Sequence, residues 1–234
     1  MARLSRKELK TDKFALEVGQ TVTYFEDHRK ELLKYAAIAA AVAVIIVGII
    51  WYRSHQRTLR QQALTVAIQT QEASIGGTSP GSVFNFPSLA EKETAAAKAF
   101  AEVASKYSGT EEGVIAVNYL GSIAVDQGKL DEAEKRFKEV ADSGYKNIAS
   151  LAKLSLGQLY FLQGRTKDGE AQLRDLIAHP TDFVSKEQAS FTLARALAKS
   201  NPTEARRLVE PMRVSTNPVI SQEAIALYSQ LGSQ

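Results

Sequence analysis

The residues able to do chemistry are few and scattered. The chain has no cysteine and three histidines, His28, His55 and His179. A thiolate nucleophile, a disulfide framework, a lipid-modified cysteine and a zinc knuckle are therefore excluded. Three isolated imidazoles offer no metal-ligand spacing. The acidic pairs Glu111-Glu112 and Asp131-Glu132 each open a helical pattern. There they satisfy free backbone N–H groups and complement the helix dipole, so capping accounts for them without acid–base catalysis. The basic runs Lys135-Arg136-x-Lys138 and Arg206-Arg207 are short and diluted by acids, as on a solvated helix face. Gly76-Gly77 follows a helical stretch and lacks the lysine of a phosphate-cradling loop, and no serine sits in a G-x-S-x-G elbow. The expectation is a protein that binds and does not catalyse, with no cofactor and no metal.

Composition agrees with a binding role and narrows it. Of 234 residues, 44% are hydrophobic and 24% charged, with a net charge of +3. Eight basic and six acidic residues fall in the first 34 positions, and the remaining +1 is spread over residues 53–234. No basic surface for nucleic acid follows from so even a balance.

The apolar residues are concentrated. From Tyr35 to Tyr52 eighteen consecutive residues carry no charge, bounded by Lys34 and Arg53. As a helix this run is about 27 Å long, enough to cross a hydrocarbon core. Tyr35, Trp51 and Tyr52 supply interfacial rings at its two ends. The preceding 34 residues are too long for the charged region of a signal peptide, and Trp51-Tyr52-Arg53-Ser54-His55 contains no small-x-small cleavage site. The expectation is an uncleaved anchor, with residues 35–52 contacting the lipid bilayer. Arg29, Lys30 and Lys34 on one side balance Arg53, Arg57 and Arg60 on the other. The total basic count and the short tail favour a cytoplasmic N-terminus, with the C-terminal region translocated, into the periplasm if the cell is bacterial. In the tail, Phe14, Val18, Val22 and Phe25 share one helical face. That face either lies on a membrane or partner, or belongs to a loosely ordered lead-in.

Beyond the span the helical pattern continues over Arg53–Ser74, with Leu59, Ala63, Val66, Ala67 and Thr70 on one side. The run Ile75-Gly76-Gly77-Thr78-Ser79-Pro80-Gly81 breaks it. From Leu89 onward helices alternate with short turns, and no sustained two-residue alternation predicts strands. Val117–Gly121 aligns with Lys153–Gly157 at an offset of 36 residues, which also relates Gly128 to Gly164, Ala133 to Gly169 and Phe137 to Leu173. A period in the mid-thirties indicates a helix–turn–helix solenoid. Small residues in the first helices (Gly121, Gly157, Ala194) admit the second helices closely, the latter crossing at Ala133, Gly169 and Ala205. Gly128 and Gly164 accept a left-handed turn, and Phe137, Leu173 and a residue near Leu208 fill the groove.

These residues resemble the tetratricopeptide repeat family. Leu120-Gly121-x-x-Ala124, Gly128, Ala133 and Phe137 match its pattern except at Ala124, usually aromatic. Leu156-Gly157-x-x-Tyr160, Gly164 and Leu173 match except at Gly169, usually alanine. A third unit from Leu193-Ala194 to Leu208 is degenerate. An earlier one joins Arg53–Ser74 to Leu89–Tyr107, with Ala96 and Phe100 in the small and large slots. Val219–Leu231, after Pro218, caps the stack. The expected fold is all-α: an N-terminal transmembrane helix followed by a helical-hairpin solenoid with a C-terminal capping helix. Residues 1–34 form the tail, 35–52 the span, 53–88 a membrane-proximal helix and loop, and 89–234 the repeat domain.

The layout as a whole also resembles the single-span ancillary subunit family of the bacterial Sec translocon, most sharply at Trp51-Tyr52-Arg53-Ser54-His55-Gln56. It departs from that family in its longer tail and in the insertion at 75–88. This resemblance implies an inner-membrane protein with a periplasmic repeat domain. Its partners would be proteins: the translocon, a chaperone or unfolded polypeptide. By the repeat pattern the concave groove holds Asn118, Ser122 and Asp126 in one unit, Leu154, Gln158 and Phe161 in the next, and Phe191, Arg195 and Lys199 in the third. Apolar positions with single polar groups suit an extended peptide or partner helix. Asn118 occupies a slot used in carboxylate clamps, but no lysine accompanies it in its unit. Two other functions fit the same features: a cytoplasm-facing regulatory protein with inverted topology, and an envelope-assembly or cell-division adaptor.

Overall fold

The computed structural model describes residues 29–76 and 84–232. The tail face of Phe14, Val18, Val22 and Phe25, together with His28 and residues 77–83 of the glycine-rich insertion, lies outside the described residues. Among those described the protein is all-helical apart from one two-residue strand pair.

The first helix, α1, is continuous over Arg29–Gln71. Alanine, valine and isoleucine fill its first half, and no glycine or proline interrupts it except Gly48, beside which an added Cβ would meet open space. Its most apolar eighteen-residue window has a mean hydropathy of 2.5, and none of that window is buried. By length and composition α1 can cross a membrane. The Trp51 and His55 rings stack at 5.8 Å, one helical turn apart.

The chain divides into two compact units at Thr58 and Leu59. In the second unit the end of α1 is followed by β1 (Ser74–Ile75), β2 (Asn85–Phe86) and α2 (Leu89–Lys106). β1 and β2 pair in parallel, Ser74 opposite Asn85 and Ile75 opposite Phe86. No strands were expected. The pair forms because the insertion returns beside its own start, where the Ser74 N–H reaches the Phe84 carbonyl at 3.3 Å and the Gly76 N–H reaches that of Phe86 at 3.1 Å. Segments of two residues are too short to show alternation.

The remaining helices pack as consecutive hairpins: α3 (Glu111–Asp126) with α4 (Leu130–Ala141), α5 (Lys146–Leu162) with α6 (Thr166–Ala178), and α7 (Lys186–Leu197) with α8 (Pro202–Val209). A 3₁₀ turn over Glu210–Val214 and α9 (Pro218–Gly232) complete the stack. Gly128 and Gly164 adopt φ of +70° and +76°, the left-handed backbone that ends the first helix of a pair. The turns close with Lys129 N–H to Ala124 C=O at 2.8 Å and Arg165 N–H to Tyr160 C=O at 2.7 Å.

The small residues of the first helices set the interhelical distance. A Cβ at Gly121 would lie 2.6 Å from the Phe137 ring, and one at Gly157 would lie 2.8 Å from Leu173. Gly169 replaces the usual alanine for a physical reason. A Cβ there would meet the Phe161 ring at 2.6 Å and the Gly157 carbonyl oxygen at 2.9 Å, so α5 and α6 cross glycine on glycine. In the degenerate third pair Val209, fully buried, fills the groove instead of the half-buried Leu208. Pro211, which has no N–H, follows closely, and α8 ends after eight residues.

Of the stripe expected on α1, Ala67 and Thr70 are buried and Ala63 packs partly buried against the core, but Leu59 and Val66 are exposed and do not face it. Leu64 is buried as well. Leu64 and Ala67 join Ala96, Phe100 and Val103 of α2 and Leu120 and Ile123 of α3 in one core. The Phe100 ring stacks on Tyr119 at 4.5 Å. Ala224, Leu227 and Leu231 of α9 close the opposite end.

Candidate protein-binding groove

The groove follows from how the hairpins stack. First helices of successive pairs touch one another, α3 against α5 and α5 against α7, and α9 touches α7 in turn. Their outward residues therefore form a continuous strip. Two recesses open along it. One, of about 190 Å³, lies between the first two pairs, with Ser122, Val125 and Asp126 on one wall, Ser155, Gln158 and Leu162 on the other and buried Phe137 in its floor. The second, of about 350 Å³, is bounded by α5, α7 and α9. Leu154 and Phe191 form its apolar floor, and Gln158, Gln188, Thr192, Arg195 and Glu223 its polar walls. Gln158 lines both recesses, which are therefore neighbours on the strip.

The structure gathers Ser122, Asp126, Leu154, Gln158, Phe191 and Arg195 on these walls. Phe161 lines a shallower recess with Gln158, Thr192 and Arg195, and its ring also occupies the space left by the missing side chain of Gly169. Lys199 is exposed in the turn after α7, and Asn118 is half-buried on α3; neither lines these recesses. The Asn118 Oδ1 atom is buried without a hydrogen-bond partner.

Two wall residues come from an element that the sequence assigned only to capping. Ile220 and Glu223 of α9 border the second recess, and Glu223 forms an ion pair with Arg195. Twenty-eight residues separate that pair, so no local spacing signals it.

Within and between the hairpins, away from the recesses, charges are paired. Glu134 of α4 accepts from Arg165 at 2.7 Å and pairs with Lys138 at 2.6 Å. The Lys138 ammonium foremost, with Arg165, holds the Glu134 carboxyl below its ordinary value against the opposing effect of burial. Arg165 also lies 4.1 Å over the Tyr160 ring. Lys153 pairs with Asp175 at 2.7 Å and lowers its pKa. Arg174 reaches from α6 to Glu204 of α8 at 3.4 Å, and Arg207, the main cause of the lowered Glu204 pKa, lies at 2.8 Å. The basic run at 135–138 is thus largely consumed by neighbouring acids, as expected for a helix face.

Glu112 does more than cap. Thr110 is the N-cap of α3, and Glu112, nearly buried, pairs with Arg60 of α1 at 3.0 Å. That contact ties the end of α1 to the α3–α4 hairpin. His179 pairs with Asp175, and among the described residues no cluster of histidine and acidic side chains has the grouping of a metal site.

Searches of curated proteins and of solved structures returned no match. A family model described as a tetratricopeptide repeat-like domain matches residues 30–190, more than half of the chain, and the chain belongs to that family.

Proposed function

We propose that this protein is a membrane-anchored scaffold that docks other proteins in the groove along α3, α5 and α7. The family is typically a non-catalytic binding module, which supports protein partners. Residues 35–52 hold it in the bilayer as an uncleaved single span, with the tail in the cytoplasm and the repeat domain in the periplasm of a bacterium. The resemblance to the ancillary translocon subunit supports the translocon, a periplasmic chaperone or nascent secreted polypeptide as partner. One observation carries the docking reading: the outward strip of three consecutive hairpins holds two neighbouring recesses with apolar floors that share Gln158 as a lining residue. An extended segment needs that kind of continuous surface, whereas a small-molecule site is enclosed.

The absence of native cysteine makes the test direct. A Gln158→Cys variant carrying a photo-crosslinker should capture translocon, chaperone or secreted polypeptides in cells. The same label at Lys135, on the exposed side of α4, should not. Equal capture from both positions would overturn the groove assignment. A second reading, a cytoplasm-facing regulatory protein, is favoured by the equal basic residues flanking the span. A compartment-specific reporter fused after Gln234 separates the two, and activity confined to the cytoplasm would overturn the periplasmic placement.

A further inference from the structure

The charges along the groove point to the kind of segment it takes. Among the described residues lining its two main recesses, three carboxylates, Asp126, Glu187 and Glu223, face one cation, Arg195. Arg195 is already engaged by Glu223. Among the described residues Asp126 and Glu187 form no ion pair. Glu187 sits in the first turn of α7, where the helix dipole accommodates it. Asp126 has no such explanation. It occupies the last turn of α3, the negative end of that helix, with no basic residue in the same turn. A carboxylate there works against the dipole. It also lines the first recess, together with Val125 and the exposed Leu162. Elsewhere in the second unit, acids within and between the hairpins are matched by lysine or arginine, as at Asp175, Glu134 and Glu204.

We infer that the groove selects an extended polypeptide segment in which apolar side chains flank a lysine or arginine. The basic group would meet Asp126, with Glu187 adding to the attraction, while the apolar neighbours seat over Val125 and Leu162 and over Leu154 and Phe191. An acidic segment would be repelled at both recesses. This rests on the groove being the docking surface.

The test uses the full chain in detergent micelles and fluorescence anisotropy. The probe is a short labelled peptide of alternating leucine and serine with a central arginine, compared with versions carrying glutamine or glutamate there. The expected order of affinity is arginine, glutamine, glutamate, with about tenfold between the extremes. Asp126→Asn should shrink that ratio to about threefold or less, while Glu139→Gln, on the exposed side of α4, should leave it unchanged. Raised salt should narrow it in the wild type. Equal binding of all three peptides, abolished by Gln158→Arg, would overturn the charge preference and leave the docking surface standing. An arginine preference that survives Asp126→Asn undiminished would overturn the assignment to Asp126. Failure of every peptide to bind would overturn both the preference and the docking reading.

Discussion

Alanine is the residue the repeat pattern favours at position 169, yet here Gly169→Ala should destabilise the protein. A Cβ at this site meets two obstacles, the Phe161 ring at 2.6 Å and the Gly157 carbonyl oxygen at 2.9 Å. A side chain can rotate away, but the carbonyl belongs to the α5 backbone, so α5 and α6 must separate. Overpacking of this kind costs about 1–3 kcal/mol. Replacing glycine by alanine inside a helix returns about 1 kcal/mol. The carbonyl contact keeps the cost in the upper part of its range, giving a net loss of about 1–2 kcal/mol. For a unit of this size the melting temperature should fall by about 3–6 °C. Circular dichroism at 222 nm on the full chain in micelles reads this directly. Gly144→Ala is the control, because a Cβ there meets nothing within 4 Å and its φ is not positive. Gly169→Ala added to a Phe161→Leu background meets no ring but still meets the carbonyl, so most of the penalty relative to Phe161→Leu alone should persist. A Gly169→Ala variant as stable as the wild type would refute the glycine-on-glycine crossing.

Three further outcomes are expected. Gly128→Ala, at φ +70° with open space around the site, should cost about 1 kcal/mol from backbone strain alone, and Gly164→Ala should match it in the same melting assay. Arg60→Met leaves the nearly buried Glu112 carboxylate without its partner and should cost about 2 kcal/mol in denaturant titration, the half-exposed setting of Arg60 keeping it below a fully buried pair. Glu134, Asp175 and Glu204 have folded pKa values below their ordinary 4.5, 3.8 and 4.5, so their contributions are complete above those values and are lost as pH falls through the folded ones. The melting temperature should therefore hold between about pH 7 and about pH 5 and decline from about pH 4 downward. Glu134→Gln should make the decline shallower.

What could be read from the sequence was set by range. Gly121 with Phe137 and Gly157 with Leu173 recur at one offset, and each pair touches in the structure as the pattern implies. Turn glycines announce themselves because only a left-handed backbone requires them. Contacts between distant segments left no such trace. Arg60 and Glu112 are 52 residues apart, and either one alone reads as an ordinary surface charge or cap. Leu59 and Val66 read with Ala63, Ala67 and Thr70 as the buried side of α1 because they are as apolar as the residues that are buried. Only the position of Phe100 and Leu120 decides which side turns inward. In the groove, helical phase taken from the family's repeat pattern names nine residues; Ser122, Asp126, Leu154, Gln158, Phe191 and Arg195 line the two recesses, and Asn118, Phe161 and Lys199 do not. The same phase could not show that α9 would add Ile220 and Glu223, because a capping helix meets its neighbour through tertiary packing and not through the repeat.

The distribution of paired and unpaired charge bears on how the fold and the groove divide their tasks. Glu134–Arg165 and Arg174–Glu204 each bridge one hairpin to the next, so most of their electrostatic field is spent within the stack. Each pair is exposed on at least one side and contributes modestly to stability. Their larger consequence is that little field from the hairpin junctions remains to attract or repel a partner. Asp126 and Glu187, unpaired beside apolar floors, are left to act on whatever approaches the recesses. Charges of one sign in a concave surface with low-dielectric walls act over longer distances than the same charges on an open helix face. The balanced total of +3 therefore conceals a local acidic strip, and the preference for a basic segment depends on where the cations are consumed and not on how many the chain carries.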